Sequence, residues 1–249
     1  MTAEGFVHGF SLRHGGVSEG PFASLNLART VGDDPSRVAE NRRRWLEALG
    51  VPEVAEASQV HGAEVALVEA GCSTAEVLAR PADALVARDP CRAVAVRTAD
   101  CLPLLLADRA TGAVAAVHCG WRGVVEGVVH AALDRLEELG ARPSSLLSAI
   151  GPHIRLGSFE VGPEVAARIQ AVAEGRPVID PRSPRPHADL ALTVRAQLEA
   201  RGVPAGAIHD VGGDTLDEAD RFFSHRRDRG RTGRHLAAIR PRPAGRRVG

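Results

Sequence analysis

Nearly continuous runs of apolar residues in the middle of this chain predict buried strands. Residues 92–108 (RAVAVRTADCLPLLLAD) and 113–123 (AVAAVHCGWRG) are nearly continuous in apolar side chains and are bounded by Pro, Gly or Asp. Such runs are typical of strands that are buried on both faces. Shorter strands are expected in residues 5–13, 82–87, 146–154 and 208–213, in a strand pair within 59–68, and at the end of 221–240.

Apolar positions spaced three and four residues apart predict the helices. A helix over Arg37 to Leu49 would be capped by Asp34 or Ser36 and closed by Gly50. The clearest helical pattern follows Gly123 and runs over residues 124–140 as one helix. Further helices are expected over 164–175 and 189–202, and the prolines in 175–187 predict a loop between them.

The order of these elements predicts the fold class. Strands and helices alternate without an even βαβ rhythm, and neither a repeat nor a shift in composition marks a domain boundary. We therefore expect a single α/β domain with mixed sheets over residues 1–249. The basic residues from about 240 to 249 are expected to form a flexible tail.

Composition narrows the function classes. The chain is 44% hydrophobic and 25% charged, with a formal net charge of zero, so neither a nucleic acid nor an anionic membrane is an expected partner. No apolar run approaches the roughly 20 residues that span a bilayer, and no signal peptide is recognisable. The four cysteines show no CxxC spacing. These features predict a cytoplasmic protein with free thiols. Lysine is absent, which excludes a Walker phosphate loop.

Three residues suggest a metal site. Cys101 and His118 lie at the ends of two apolar segments, and His61 lies upstream in SQVHG. Two imidazoles and one thiolate suit zinc, and three protein ligands leave a fourth position open, as in catalytic zinc sites. The same residues also fit a bland interpretation: Cys101 as a small buried hydrophobe and the histidines as hydrogen-bonded structural residues, since the chain has ten histidines.

Other polar residues are candidates for binding or proton transfer. Arg13 precedes a glycine-rich loop, and Arg122 lies at a predicted helix start, where each could bind an anion or remain a surface arginine. Asp100 could orient one of the histidines or cap a turn. Cys119 adjoins His118, and because adjacent strand residues point to opposite faces it is expected to lie in the core.

Motifs along most of the chain resemble the YfiH-like family, also called laccase-domain or multicopper polyphenol oxidase proteins. The resemblance runs from about Phe6 to Ile239 and is most specific in TADC and H-x-GWRG. The matching segments are FSLRHGGVSEGPFASLNLA, VGDDP, ENRRR, QVHG, ADALV, TADCLPLLL, VHCGWRG, AIGPHI, FEVGPEV and FFSHRRDRGRTGRHLA. Departures from the family pattern are Cys119 for alanine, Phe159 for tyrosine, and Asp214-Thr215 for a Cys-Thr pair.

The resemblance implies a fold, an activity and a set of site residues. It implies a layered α/β/β/α sandwich in a cytoplasmic, monomeric protein, with zinc held by His61, Cys101 and His118. It also implies phosphorolysis of adenosine, inosine and methylthioadenosine, with adenosine deamination as a side activity. The purine nucleoside and phosphate would then be the partners. The catalytic candidates are therefore His61, Cys101 and His118, with Asp100 or a free histidine to move the proton. Arg13 and Arg122 are the candidates for binding phosphate, and Asn26 and Gln59 are further substrate-binding candidates.

Three alternatives stay open. The laccase name suggests copper-dependent phenol oxidation, and Cu²⁺ competes well for nitrogen and sulfur ligands. However, ten scattered histidines without HxH pairs do not supply a multicopper ligand set. Cys101 could instead be the nucleophile of a hydrolase that edits peptidoglycan precursors, with a histidine as its base. The third alternative is a zinc-stabilised module without catalytic activity.

Overall fold

The secondary structure was obtained from a computed structural model, which describes residues 1–181 and 184–242. The helices are α1 (Pro35–Leu49), α2 (Thr74–Leu78), α3 (Trp121–Glu126), α4 (Val128–Glu138), α5 (Pro163–Ala171) and α6 (Leu190–Ala200). The strands are β1 (Val7–Phe10), β2 (Val54–Ala55), β3 (Val65–Val68), β4 (Ala84–Ala87), β5 (Ala93–Thr98), β6 (Leu102–Asp108), β7 (Val114–Cys119), β8 (Leu146–Ile150), β9 (Ile179–Asp180), β10 (His187–Ala188), β11 (Ile208–Asp210) and β12 (His235–Arg240).

Two mixed sheets carry most of these strands. A four-stranded sheet has the order β1-β12-β5-β2, in which β2 and β5 are parallel and the other pairs are antiparallel. A six-stranded sheet has the order β11-β8-β6-β7-β4-β3. Its two outer pairs are parallel and its central pairs are antiparallel. The apolar runs of the sequence therefore become the central strands β5, β6 and β7, which are buried along nearly their whole length.

The two sheets pack face to face, and helices cover their outer faces. Small and branched side chains fill the space between the sheets, with Val96 and Ile239 from one sheet and Leu105 from the other. Trp45 of α1 packs on the outer face of the four-stranded sheet, and Leu133 of α4 packs on the outer face of the six-stranded sheet. This arrangement confirms the layered α/β/β/α sandwich in a single domain.

The helix predictions were correct in kind but not in every boundary. Helix α1 begins at a cap in which Asp34 accepts hydrogen bonds from two backbone amides, and it ends at Gly50 in the left-handed conformation (φ 74°). The single helix predicted over 124–140 is wrong. Gly127 adopts φ 94° and separates α3 from α4, because glycine reaches this conformation without a Cβ clash.

Two loop regions also differ from expectation. The proline-rich segment 175–187 contributes to a short antiparallel pair, β9 with β10. The strand pair expected within 59–68 is wrong, since only β3 forms there and His61 lies in a loop with φ 62°. Arg240 ends β12, and Arg242 donates to the carbonyl of Glu4. The rest of the predicted tail, 243–249, lies outside the described residues. Within them, no helix has the length and hydropathy to cross a membrane.

Leu105 tests whether the contact between the sheets stabilises the fold. Its side chain is fully buried among both sheets, so Leu105→Ala should lower the free energy of unfolding by about 2–5 kcal/mol. Leu78→Ala is the control, since Leu78 is 37% exposed and should change the value by less than about 0.5 kcal/mol. Urea unfolding followed by circular dichroism measures both. Equal effects of the two substitutions would contradict the packing described.

Candidate metal centre

The turn between β5 and β6 positions Cys101. Asp100 immediately before it adopts φ 86°, an uncommon conformation for a residue with a side chain. Its carboxylate accepts hydrogen bonds from the Thr215 hydroxyl (2.8 Å) and the Arg226 amide (2.7 Å), and its carbonyl accepts one from the Ile154 amide (2.9 Å). These bonds hold the turn, which directs the Cys101 thiol to its partners.

His118 reaches the same point from the neighbouring strand. It is the second-last residue of β7 and pairs with Pro103 of β6, two positions from Cys101. Its ring Nδ1 lies 2.7 Å from a carboxylate oxygen of Asp83. Because a carboxylate accepts the proton of Nδ1, this bond leaves Nε2 of His118 as the atom available to a metal.

Asp83 also fixes the loop that carries His61. Its two carboxylate oxygens accept hydrogen bonds from the backbone amides of Val60 (3.0 Å), His61 (3.0 Å) and Gly62 (2.9 Å). One buried carboxylate therefore positions both histidines. Sequence reasoning missed Asp83 and assigned this orienting role to Asp100. The available signal was an acidic residue inside the apolar segment ADALVA, directly before the strand β4.

His61, Cys101 and His118 converge. One ligand atom from each lies within 4.8 Å of the others, and the two imidazole rings meet edge to face with centroids 4.9 Å apart. Gly120 lies against all three: a Cβ there would be 3.0 Å from His61, 3.5 Å from the Cys101 sulfur and 3.6 Å from His118. The donor types, their separation and the supported His118 tautomer all fit a bound metal ion.

Electrostatics favour a charged pair in the metal-free centre. Burial raises the pKa of the Cys101 thiol, but interactions with His118 and His61 outweigh it and lower the pKa to about 6. Burial lowers the pKa of His118, but the Cys101 thiolate and the Asp83 carboxylate outweigh it and raise the pKa to about 9. Around neutral pH, Cys101 is therefore a thiolate, ready to bind a metal.

A cavity of about 500 Å³ opens beside this centre. Of the predicted site residues, the metal triad, Asp100, Gln59 and Arg122 line it. Its apolar walls include Trp121, Phe159, Ile154 and Leu190. The cavity is also lined by polar residues that the sequence analysis does not propose for the site: Arg97, His225, Arg226 and Arg234.

Arg13 and Asn26 do not line this cavity. Arg13 donates to the carbonyls of Ala23 and Ala219, and its guanidinium lies 4.8 Å from the Phe223 ring centroid. Asn26 is fully buried and its amide binds the Asp33 carboxylate at 2.8 Å. Arg13 thus joins the end of the glycine-rich loop to the segment at Ala219, and Asn26 joins the segment at Asp33 to the Arg234 amide, from which its Oδ1 accepts a hydrogen bond (3.0 Å).

The remaining family departures lie close to the centre but differ in role. Cys119 is fully buried in the core, as expected from strand alternation. Burial and the nearby Cys101 raise its pKa, so this thiol stays protonated. Phe159 forms part of the cavity wall, and Thr215 holds Asp100.

Metal binding should depend on pH with a defined sign. Between pH about 6 and about 9 the metal-free centre holds a Cys101 thiolate and a protonated His118. Binding must expel the His118 proton, so affinity for Co²⁺ should rise about tenfold per pH unit in this range and fall as pH falls. Calorimetry in buffers of different ionisation enthalpy counts the released proton. Asp83→Asn should reduce this release near pH 8, and release of two protons would contradict the assignment.

Gly120 tests the geometry of the centre without removing a ligand. The Cβ of Gly120→Ala would crowd the His61 ring at 3.0 Å, while its contacts with Cys101 and His118 would be ordinary ones, so the His61 ligand should shift and affinity for Co²⁺ should fall about tenfold or more. Gly162→Ala is a matched control: both glycines cap helices with nearly the same backbone angles (φ −68°, ψ 151° and φ −71°, ψ 156°), and Gly162 has no atom within 4 Å of a Cβ. The thiolate-to-cobalt absorption band reports binding. Unchanged binding by Gly120→Ala would refute the arrangement.

Comparisons with known proteins support the same family. The family described as "Multi-copper polyphenol oxidoreductase laccase" matches residues 7–242. A protein of Deinococcus radiodurans named purine nucleoside phosphorylase is 44% identical over 93% of this chain and 88% of its own length. A protein of the same name from Streptomyces coelicolor is 42% identical over 92% and 93%. The crystal structure of Bacillus licheniformis YfiH superposes with a TM-score of 0.90 at 28% identity, covering 95% of this chain and 93% of its own. The chain therefore belongs to the YfiH-like, laccase-domain family.

Proposed function

We propose that the protein is a zinc-dependent purine nucleoside phosphorylase, which cleaves adenosine, inosine and methylthioadenosine with phosphate to free base and sugar 1-phosphate. The observation that carries this proposal is the His61–Cys101–His118 group at the wall of a cavity with aromatic and cationic lining. The relatives named purine nucleoside phosphorylase support the reaction class.

The donor set supports zinc as the metal. Two imidazoles and one thiolate are ligands that zinc favours, and three protein ligands leave one position open. When bound, zinc would supply a Lewis acid and would lower the pKa of a water molecule. The same chemistry supports adenosine deamination as a side activity.

The cavity has surfaces suited to a nucleoside. Its size falls in the range of small-molecule sites. Trp121 and Phe159 form part of its apolar wall, and guanidinium groups lie over both rings, so aromatic and cationic surfaces are available together to a purine. The Arg122 guanidinium lies 4.8 Å from the Trp121 ring centroid, and no hydrogen bond from it to another described residue is present, so its donors can serve a substrate. The Gln59 amide is engaged with both backbone groups of Arg97 and therefore shapes the wall.

Asp100 is proposed to act in proton transfer. Its side chain lines the cavity next to Cys101. Both of its carboxylate oxygens already accept hydrogen bonds. Asp100 therefore also fixes the position of the Cys101 turn relative to the segment around Arg226. A role for Arg13 or Asn26 in substrate binding would be indirect, through the segments that each of them holds.

A reducing compartment is part of the proposal. All four cysteines are free thiols, and the metal centre needs Cys101 as a thiolate rather than a disulfide or an oxidised acid. We therefore place the protein in the cytoplasm. The family resemblance supports a monomer, and the net charge of zero supports neither nucleic acid nor membrane as a partner.

Copper-dependent phenol oxidation is a second candidate because the family description names it. Within residues 1–181 and 184–242, one group of three or more potential ligands is close enough to hold a metal. A multicopper oxidase requires several such groups. Metal analysis of protein purified without added copper distinguishes the candidates, since stoichiometric copper would favour the oxidase.

A Cys101-dependent hydrolase is a third candidate because the Cys101 thiolate lies beside a protonated His118. Such a pair resembles the nucleophile and base of cysteine hydrolases, and peptidoglycan precursors would be its substrates. This activity would survive removal of the metal by a chelator and would be lost on alkylation of Cys101. Phosphorolysis has the opposite dependence on the chelator.

Release of free base tests the proposal directly. Zinc-loaded protein should release adenine from adenosine and hypoxanthine from inosine only when phosphate is present, as measured by chromatography. Cys101→Ala should lose zinc and lose phosphorolysis by at least about a hundredfold, because a first ligand is removed. Cys91→Ala is the control, since Cys91 is exposed and lines a different cavity. Full turnover by the Cys101 variant, or no base release by the zinc-loaded protein, would reject the proposal.

A further inference from the structure

The cavity wall beside the metal centre has an excess of positive charge. Four arginines and one carboxylate line it: Arg97, Arg122, Arg226, Arg234 and Asp100. The carboxylate of Asp100 is already bound to the Thr215 hydroxyl and the Arg226 amide. Even when the Cys101 thiolate is counted beside Asp100, the four arginines are in excess, which favours an anionic ligand.

Two of these arginines lie side by side. In the β5–β12 pair, Arg97 is opposite Leu236, and Arg234 precedes Leu236 by two residues, so both arginines share one face as diagonal neighbours. Electrostatics agree with this placement. Burial lowers the pKa of Arg234, Asp100 and Cys101 raise it, and the charge of Arg97 lowers it further. Arg234 thus lies among Arg97, Asp100 and Cys101.

Arg97 is anchored from behind the wall. Its guanidinium donates to the Glu56 carboxylate (2.9 Å) and to the carbonyl of Ala57 (3.0 Å). Glu56 is 2% exposed, and it also binds Arg42 and lies 3.7 Å from Arg29. One buried carboxylate therefore faces three guanidinium groups, and positive charge remains uncompensated at this wall.

Arg234 makes no ion pair with a carboxylate among the described residues, although Asp100 and Cys101 lie near it. Its guanidinium donates to the carbonyls of Thr232 (2.9 Å) and Gly233 (3.0 Å) and contacts His225 at 3.2 Å. These bonds to neutral groups fix the direction of the guanidinium without neutralising its charge. A half-buried, oriented guanidinium next to a second one matches the way proteins bind phosphate, through charge-assisted and often paired hydrogen bonds.

We propose that Arg97 and Arg234 form the phosphate-binding subsite of this cavity. A phosphate dianion between them would relieve the repulsion of the two like charges and would lie on the side of the cavity that carries Cys101. The identification of this ligand as the inorganic co-substrate rests on the proposed function. The same two arginines would equally take the phosphate group of a nucleotide. Arg122, which stacks on Trp121, is left to contact the nucleoside.

Calorimetry on the zinc-loaded protein tests this subsite with three probes: inorganic phosphate, adenosine and adenosine 5′-monophosphate. Arg234→Gln and Arg97→Lys should each weaken binding of inorganic phosphate by about tenfold or more and leave adenosine binding unchanged within error. Arg97→Lys keeps a charge for Glu56, which protects the fold. Arg122→Gln should weaken adenosine more than phosphate. Arg135→Gln, on an exposed face of α4 and paired with Glu138, should change neither.

Thermal unfolding of the unmodified protein tests phosphate binding independently of whether the variants fold. Phosphate should raise the melting temperature of the unmodified protein more than chloride at equal ionic strength, because a ligand bound to the native state stabilises it. This stabilisation should be smaller in both arginine variants. Failure of phosphate to bind the unmodified protein, or equal phosphate affinity in the unmodified protein and both variants, would overturn the subsite.

The outcomes separate this subsite from the proposed reaction. Phosphate binding that depends on Arg97 and Arg234, without release of base, would keep the subsite and reject the phosphorylase. Phosphate-dependent base release with an unchanged KM for phosphate in both variants would keep the phosphorylase and reject the subsite. Weakened binding of adenosine 5′-monophosphate with unchanged binding of inorganic phosphate would reject the subsite as the place where the inorganic co-substrate binds, and would assign these arginines to the phosphate group of a nucleotide.

Discussion

The metal centre depends on the buried carboxylate of Asp83. It accepts three consecutive backbone amides from the loop at residues 60–62 and the ring nitrogen of His118. Burial raises the pKa of Asp83, but the hydrogen bonds from His118 and Gly62 outweigh it and lower the pKa, so the group stays ionised. A neutral amide at this position could not accept hydrogen bonds from the same donors. His61 and His118 would then no longer be positioned by one shared side chain.

The centre is assembled from backbone that is locally unfavourable. His61 and Asp100 both adopt positive φ, at 62° and 86°, and such conformations cost about 1–3 kcal/mol each. Hydrogen bonds compensate at both points: Asp83 holds the His61 loop, and Thr215 with Arg226 holds Asp100. The packed sheets behind these turns are rigid, so the strain is confined to the residues that present the ligands.

The sequence predicts those features that depend on local pattern. The apolar runs identify β5, β6 and β7, and the ends of those runs identify Cys101 and His118 as neighbours. It does not predict the role of Asp83, because that role follows from the pairing of β4 with β7, a contact between residues far apart in the chain. The sequence also does not predict that the helix is interrupted at Gly127, because the apolar spacing continues across this residue. Glycine at this position permits the φ of 94° that separates α3 from α4.

The arginines show the same division between local and long-range information. Arg122 was recognised from its position after Trp121, whereas Arg13 is directed away from the cavity by carbonyls and an aromatic ring that only the folded loop brings near. Arg97 and Arg234 become neighbours through the register of β5 and β12. Replacing a buried ion pair by apolar residues is often neutral or stabilising. Stability alone therefore does not explain why Glu56 and Arg97 are paired. The pair is explained by its effect on Arg97, because the bond to Glu56 fixes the direction of the Arg97 guanidinium.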